Sequence, residues 1–336
     1  MEEALLQLSH VSKTFAKGTE VAVKELSLRV AHEEFVTLLG ESGSGKSTLL
    51  RLAAGLEEPD SGEVLFEGEI VEPPSEKLIP GHEGMAMADQ DLRLFPNHSI
   101  AENLSHPLRH LPRAEQEEYV QDLLAFCQLS NVAHKKPGDL SGGERQRITI
   151  ARALATHASL LLLDEPFSHL DPHLRQAFGA ELRQRMRAQE MAALMVMHDP
   201  AVALAVSDRI LVMQEGQIVQ EGSPEALYRH PASPYVARLF GQVAVLSAKE
   251  AKALGLPAKK TGLRQELVQA NSDATAEKSI PARLHRKSYI GHAWAIEALT
   301  EPGSLLYALS AENPGEQGAS LHLHIRHDQI IHWPQP

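Results

Sequence analysis

Apolar and polar residues alternate near the start of the chain and give way to short, continuous apolar runs further along it. The alternation over 4–11 and 21–30 predicts two half-buried antiparallel strands, because successive strand side chains point to opposite faces. The continuous apolar runs at 35–39, 160–163 and 192–197 are typical of strands in a buried parallel sheet. Together these patterns predict an α/β fold.

Helices are predicted between these strands. Ser99 precedes a run with helical periodicity, and Glu102 follows it three residues later, which is the capping-box spacing. We therefore expect helices at about 99–109 and 113–128, within a helical region of about 91–157.

A glycine-rich turn follows the strand at 35–39. The spacing from Gly40 to Ser47 is G-x-x-x-x-G-K-S, the signature of a phosphate-binding loop. We expect Lys46 to reach the β- and γ-phosphates of a nucleotide and the Ser47 hydroxyl to hold Mg²⁺. The predicted nucleotide-binding residues of this loop are Gly40, Glu41, Ser42, Gly43, Ser44, Gly45, Lys46, Ser47 and Thr48.

Candidate catalytic groups stand where two of the apolar runs end. Asp164 and Glu165 follow Leu163 directly, at the end of a strand where α/β proteins bind ligands. Asp164 can then hold Mg²⁺ while Glu165 faces an attacking water molecule. His198 ends the run at 192–197 and could contact a γ-phosphate, although such a histidine is more often an ordinary loop residue.

A second helix start with anion-binding character lies at Ser141-Gly142-Gly143. The loop at Gly40 already surrounds the phosphates bound by its own chain. The second helix start is therefore predicted to serve a nucleotide bound to another copy of the chain.

Composition excludes several classes of protein. The 336 residues carry a formal net charge of −12, which argues against general nucleic-acid binding. The single cysteine, Cys127, excludes an internal disulfide, and its apolar surroundings predict a buried thiol. No apolar stretch approaches the roughly 20 residues of a membrane span, and no signal peptide is apparent. We expect a soluble chain that reaches a membrane only through a partner.

Residues 1–240 resemble the nucleotide-binding subunit of an ATP-binding cassette (ABC) transporter. Gly40–Thr48 match its Walker A loop, Leu140–Arg147 its signature motif, and Asp164 with Glu165 its Walker B motif and catalytic glutamate. The resemblance implies a P-loop NTPase cassette with an antiparallel β subdomain and a helical subdomain. It also implies an ATPase that converts ATP and water to ADP and phosphate.

The resemblance extends to single residues. Gln90 matches the Q-loop glutamine, His198 the switch histidine and Phe15 the base-stacking aromatic, although from the residues alone core packing of Phe15 is equally plausible. His169 departs from the family, which usually has a small residue there. The resemblance implies the catalytic set Glu165, His198, Lys46 and Gln90. It implies the Mg²⁺ ligands Ser47, Gln90 and Asp164.

The last hundred residues differ in composition from the part of the chain before them. Alternation at 280–284 and 321–325 predicts a small all-β unit. Gly262–Leu267 and Tyr289-Ile290-Gly291 resemble the oligonucleotide-fold-like (OB-like, TOBE) accessory domain of many ABC importers. We therefore predict a cassette at 1–240 and an accessory or regulatory β domain at 243–336.

The resemblance implies how such a subunit works. Two copies, or this chain and a paralogous cassette, would form a head-to-tail dimer with ATP and Mg²⁺ between them. The dimer would drive transmembrane permease subunits, and indirectly a substrate-binding protein, at the cytoplasmic face of a bacterial inner membrane. The tail resembles those of ferric-iron, polyamine and sulfate importers. The alternatives are an exporter subunit, which usually ends near residue 230, and a soluble ABC ATPase of translation or DNA repair.

Overall fold

A computed structural model gives the structure of the protein and describes residues 4–15, 20–78, 81–89, 94–271, 279–301, 303–327 and 329–334. The chain divides into two compact units, Met1–Pro224 and Glu225–Pro336. The limits predicted from the sequence, 1–240 and 243–336, would place residues 225–240 with the first unit.

The described part of the first unit forms two sheets. Its described strands are β1 (Leu6–Phe15), β2 (Glu20–Val30), β3 (Phe35–Leu39), β4 (Ser61–Phe66), β5 (Glu69–Ile70), β6 (Met85–Ala88), β7 (Leu160–Asp164), β8 (Ala192–Met197), β9 (Arg209–Gln214) and β10 (Gln217–Gly222). One sheet is antiparallel, in the order β2-β1-β4-β5. The other has the order β10-β9-β3-β8-β7-β6, and all of its neighbouring strands except β9 and β10 are parallel.

The buried strands of the larger sheet position the site. Every residue of β3, β7 and β8 is buried, as the continuous apolar runs predicted. Because these neighbouring strands are parallel, their carboxyl ends meet at one edge of the sheet. Residues that follow Leu39, Leu163 and Met197 therefore come together.

Helices surround these strands. The described helices of the first unit are α1 (Lys46–Ala53), α2 (Ile100–Ser105), α3 (Arg113–Phe126), α4 (Gly142–Leu154), α5 (Pro172–Ala188) and α6 (Pro200–Val206), with 3₁₀ turns at His106–Leu108, Ser130–Val132 and Pro137–Asp139. The predicted capping box is present at α2, where Ser99 and Glu102 exchange two hydrogen bonds. The predicted α/β fold with helical and antiparallel β subdomains is confirmed.

The second unit is mainly β-structure. After α7 (Pro224–Arg229), its described elements are α8 (Pro234–Leu239), β11 (Val243–Leu246), α9 (Ala248–Ala253), β12 (Lys260–Arg264), β13 (Val268–Asn271), β14 (Ile280–Tyr289), β15 (Trp294–Thr300), β16 (Leu305–Ser310), β17 (Ser320–Ile325) and β18 (Ile331–Trp333), with a 3₁₀ turn at Gln265–Leu267. Five strands close a barrel in the order β13-β16-β15-β14-β17, and β11-β12-β18 form a small sheet. The small all-β domain predicted from the sequence is confirmed.

Two buried side chains attach α7 and α8 to the strands of the second unit. Arg264, only 3% exposed, donates to the carbonyl oxygens of Tyr228 and Ala237. Its guanidinium also lies 3.9 Å from the centroid of the Tyr228 ring. The indole of Trp333 donates to the carbonyl oxygen of Pro231 at 2.8 Å.

Two sequence predictions concern features away from the site. Cys127 is fully buried, as predicted, and its Sγ donates to the carbonyl oxygen of Arg147. No helix in the described part of the chain is long and apolar enough to cross a bilayer.

Candidate active site

The predicted phosphate-binding loop runs from the end of β3 into the first turn of α1. Gly45 is the N-cap of α1 and has a φ of 100°, a conformation that residues with a Cβ rarely adopt. A Cβ at this position would lie 2.0 Å from the carbonyl oxygen of Ala22 in β2. Only glycine fits here, so the loop can pack closely against β2 and still enter the helix at Lys46.

Lys46 is almost completely buried inside this loop. Its Nζ donates to the carbonyl oxygens of Gly40 at 3.0 Å and Glu41 at 2.7 Å, and to Ser44 Oγ at 3.3 Å. Burial lowers the pKa of Lys46, while the nearby carboxylates of Glu165 and Asp164 oppose that shift. The loop thus holds a desolvated cation with three N–H donors, which could turn from these oxygen atoms to the oxygens of a bound phosphate.

Ser47 and Asp164 meet across the loop. Ser47 Oγ donates to Asp164 Oδ1 at 3.2 Å. Burial raises the pKa of Asp164, and this hydrogen bond partly offsets the rise. The pair combines a hydroxyl and a carboxylate, the hard oxygen ligands that suit Mg²⁺.

Glu165 and His198 lie at the ends of the adjacent strands β7 and β8. Glu165 Oε1 is 2.8 Å from His198 Nε2. The Glu165 side chain is 20% exposed and therefore accessible to a water molecule. The structure thus brings together five of the predicted residues, namely Lys46, Ser47, Asp164, Glu165 and His198.

The backbone of Glu165 has an unusual conformation. Its φ is 50°, in the left-handed region that residues other than glycine rarely occupy. Its N–H donates to the carbonyl oxygen of Val196 in β8 at 3.0 Å. Its own carbonyl oxygen accepts hydrogen bonds from the N–H and hydroxyl of Ser168 and from Gln146 Nε2.

Sequence reasoning assigned no role to Gln146, although it lies within the signature motif. It is 2% exposed and lies on the buried face of α4, with Ile150 one turn further along the helix. A polar residue on an otherwise buried helix face indicates a side chain with fixed hydrogen-bond partners. That signal was present in the sequence.

The predicted second anion site forms the start of α4. Ser141 is its N-cap and forms a capping box with Glu144. A Cβ on Gly143 would lie 2.6 Å from the carbonyl oxygen of His169, and a Cβ on Gly142 would meet the His169 ring at 3.7 Å. The first distance is a clash and the second an ordinary contact, so Gly143 is the glycine that lets the segment after Glu165 pack directly against the signature helix.

Two predicted residues need separate mention. Phe15 ends β1 and is 38% exposed, so it does not belong to the core, and Lys13 Nζ lies 5.5 Å from its ring centroid. Gln90 lies outside the described residues, so the catalytic and metal-binding roles predicted for it stay predictions.

Known proteins resemble this chain along most of its length. The family model described as ABC transporter matches residues 23–168. An Fe(3+) ions import ATP-binding protein (FbpC 1) of Pectobacterium atrosepticum is 33% identical over 94% of this chain and 94% of its own. A sulfate/thiosulfate import ATP-binding protein (CysA) of Thermosynechococcus vestitus is 36% identical over 90% of this chain and 89% of its own.

A solved structure adds a dimeric example. It is the ATP-binding cassette MJ0796 in a post-hydrolysis state with ADP and Pi, at a TM-score of 0.58 and 29% identity. The match covers 65% of this chain and 98% of that one. Because relatives match this chain along nearly their full length, the chain belongs to the ABC transporter family, as an ATP-hydrolysing subunit of the importer type.

Proposed function

We propose that two copies of this chain bind ATP head to tail, each nucleotide lying between Gly40–Thr48 of one copy and Ser141–Gly143 of the other. The observation that carries the proposal is the convergence of Lys46, Ser47 and the Glu165–His198 pair at one edge of the sheet. Ser141–Gly143 form a different helix start, and the groups nearest to its glycines are at His169. The dimeric form of the similar cassette MJ0796 supports the arrangement.

Each residue of this half-site has a task that follows from its chemistry. The loop N–H groups and Lys46 bind the phosphates and stabilise the charge that develops on the γ-phosphoryl group. Glu165 accepts a proton from the water whose oxygen attacks the γ-phosphorus, while the bond to the β–γ bridging oxygen breaks. His198, hydrogen-bonded to Glu165, orients that carboxylate and contacts the γ-phosphate.

Ser47 and Asp164 provide the ligand set for Mg²⁺, with Gln90 as the third predicted ligand. The metal would neutralise phosphate charge when bound. Phe15 is exposed enough to stack on the adenine. Both assignments agree with the residue types and with the exposure or contacts of the described residues.

The membrane partner is proposed to be a permease at the cytoplasmic face of a bacterial inner membrane. The fully exposed Leu78 lines a mainly apolar cavity of about 570 Å³ in the first unit, which the charged residues Lys77 and Glu83 also line. Met85, Met87 and Leu56 also line it. Exposed apolar surface of this kind is typical of a protein-binding site.

The cargo is proposed to be a small solute or metal ion. One relative is named for ferric ions and another for sulfate and thiosulfate, at 33% and 36% identity. A spermidine/putrescine import ATP-binding protein (PotA 1) of Pseudomonas aeruginosa, 44% identical over 68% of this chain, supports polyamines as a third candidate. In this proposal the cargo binds the permease and the binding protein, so those partners are expected to decide among the candidates.

The substitution Glu165→Gln tests the catalytic assignment. The variant should bind Mg–ATP with a Kd within about 2-fold of wild type and lose at least about 100-fold in kcat, because the amide cannot accept the proton. With hydrolysis blocked, ATP should convert the variant to a stable dimer, visible by light scattering. Glu190→Gln is the matched control, because Glu190 also has a positive φ, of 55°, but is exposed and lies just beyond the end of α5.

Retention of more than a tenth of wild-type turnover by Glu165→Gln would remove Glu165 from its proposed role. The same ATP-bound variant also serves as bait in detergent-solubilised membranes. A polytopic membrane protein should co-purify with it. Capture of ribosomal or DNA-bound proteins alone would contradict the transport assignment.

A further inference from the structure

Gln146 connects the signature helix to the catalytic loop through both ends of its side-chain amide. Its Nε2 donates to the carbonyl oxygen of Glu165 at 2.6 Å and to Ser168 Oγ at 3.2 Å. Its Oε1 accepts from the backbone N–H of His169 at 3.0 Å. Both N–H groups and the oxygen of this buried amide are therefore used, and all three bonds go to one segment.

These hydrogen bonds hold Glu165, whose backbone conformation is strained. Glu165 is held at φ 50°, which is unfavourable for any residue with a Cβ and persists only where neighbours fix it. Three described hydrogen bonds converge on its carbonyl oxygen. Two come from Ser168 in the same loop, and the bond from Gln146 comes from another element. The direction of the Glu165 side chain thus depends on where α4 lies.

The same helix has a second task in the proposed dimer. The start of α4, Ser141–Gly143, would contact the ATP that is bound by the partner copy, whereas Glu165 hydrolyses the ATP bound by its own chain. Gln146 lies about one turn beyond that helix start. Any shift of α4 as the partner's γ-phosphate binds or leaves would therefore move the carbonyl oxygen of Glu165.

We propose that Gln146 is a positioning residue that sets the orientation of Glu165 and couples the two ATP sites of the dimer. This inference rests on the head-to-tail dimer and on the role of Glu165 proposed above. The buried amide of Gln146 is hydrogen-bonded at both ends, so a small displacement of α4 is passed on to the loop. Removing the amide leaves no polar link from the side chain of residue 146 to the loop. Coupling of this kind appears as cooperative dependence of hydrolysis on ATP concentration.

The test replaces Gln146 by methionine, which has a similar length and no amide, in the full chain with Mg–ATP. We expect kcat to fall about 10- to 100-fold, as misplaced catalytic groups typically cause. We expect the Kd for ATP of the monomer to stay within about 2-fold. The Hill coefficient of hydrolysis, expected above 1 in the wild type, should fall to about 1.

Gln189→Met is the matched control. Gln189 is a half-buried glutamine whose Nε2 also bonds across helices, to the hydroxyl of Tyr119 at 2.8 Å, but it lies at the end of α5. If Gln146 had a merely structural role, Gln146→Met and Gln189→Met would behave alike. Both would unfold at a lower temperature than the wild type and keep its kcat. If Gln146→Met does not fold, Gln146→Glu is the variant to test. It keeps the shape of the side chain and the hydrogen bond from His169, but it places a carboxylate oxygen, which cannot donate, against the carbonyl oxygen of Glu165.

The outcomes separate the inference from the proposed function. Wild-type kcat and cooperativity in a folded Gln146 variant would overturn the inference, as would a Hill coefficient of 1 in the wild type. If Glu165→Gln has lost turnover in the same assay, the catalytic assignment survives that result. If Glu165→Gln retains turnover, the proposed function fails first and the coupling through Glu165 fails with it.

Discussion

At the residue scale, the site depends on charged groups that are held away from water. Burial lowers the pKa of Lys46 and raises that of Asp164, so each shift disfavours the ionised form. The carboxylates of Asp164 and Glu165 oppose the shift of Lys46, and the hydroxyl of Ser47 opposes that of Asp164. Lys46 and Asp164 therefore support each other's charge, whereas the nearby carboxylate of Glu165 raises the pKa of Asp164 further.

For Cys127, burial is the largest influence on the pKa and outweighs the opposing charges of Arg147 and Arg185. Desolvation raises the pKa of its thiol to about 12. We expect no reaction of the native protein with a thiol-specific reagent at pH 8, because the reactive thiolate is a tiny fraction of the thiol. The check is to follow labelling in buffer and in urea. Stoichiometric labelling should appear only as the chain unfolds, and rapid labelling in buffer would contradict the buried position.

At the element scale, α4 combines a capping box with the predicted anion site. Glu144 accepts a hydrogen bond from the backbone N–H of Ser141, and Ser141 Oγ accepts one from that of Glu144. Hydrogen bonds from Ser141 lower the pKa of Glu144. A carboxylate therefore already stabilises the helix start that is predicted to meet the partner's ATP.

Replacing Glu144 by alanine should lower the free energy of unfolding by about 1 kcal/mol at pH 7, through loss of half of the capping box. Since the folded pKa of Glu144 lies below its usual 4.5, its contribution is complete above that value and is lost as the pH falls through the folded pKa. Urea titrations of the wild type and the variant should show a smaller difference in the free energy of unfolding below pH 4 than at pH 7.

Glu115→Ala is the control for this prediction. Glu115 also lies in the first turn of a helix, α3, but that helix has no side-chain hydrogen bond at its N-cap. We expect a change within about 0.5 kcal/mol at both pH values. Equal effects of the two substitutions would contradict the stabilising role of the capping box.

The elements also show what the sequence could predict. The helix start at Lys46, the capping box at Ser99 and the buried strand ending at Asp164 were all predicted, because each depends on local residue order. The link from Gln146 to Glu165 was not predicted, because it joins residues of two elements whose distance is set by sheet order. The φ of 50° at Glu165 was missed for the same reason, since it follows from its position between β7 and the loop.

At the scale of the whole molecule, helices α7 and α8 group with the barrel unit. Composition changes near residue 243, and that change suggested the predicted boundary. Arg264 and Trp333, which lie far along the chain, form hydrogen bonds with carbonyl oxygens of α7, α8 and the segment between them. Ala237 also belongs to a buried cluster with Val243, Ile331 and Trp333.

A chain truncated after Phe240 should therefore lose the contacts that hold residues 225–239. We expect the backbone amides of this segment to exchange hydrogen at least about 10-fold faster than in the full chain. Peptides from β7 serve as the internal control, because that strand is central to the first unit. Equal protection of 225–239 in both proteins would favour the boundary near residue 240.

The central place of β3 has a consequence for synthesis on the ribosome. Val36 pairs with Leu194 on one side and with Arg209 on the other, so both edges of β3 are filled by strands made much later. At typical rates of synthesis of about 5–20 residues per second, β8 and β9 are made roughly ten to thirty seconds after β3. During that interval the nascent chain already has its phosphate-binding loop but lacks the neighbouring strands β8 and β9 of the parallel sheet. Its apolar strand is then open to chaperones, and to aggregation in their absence.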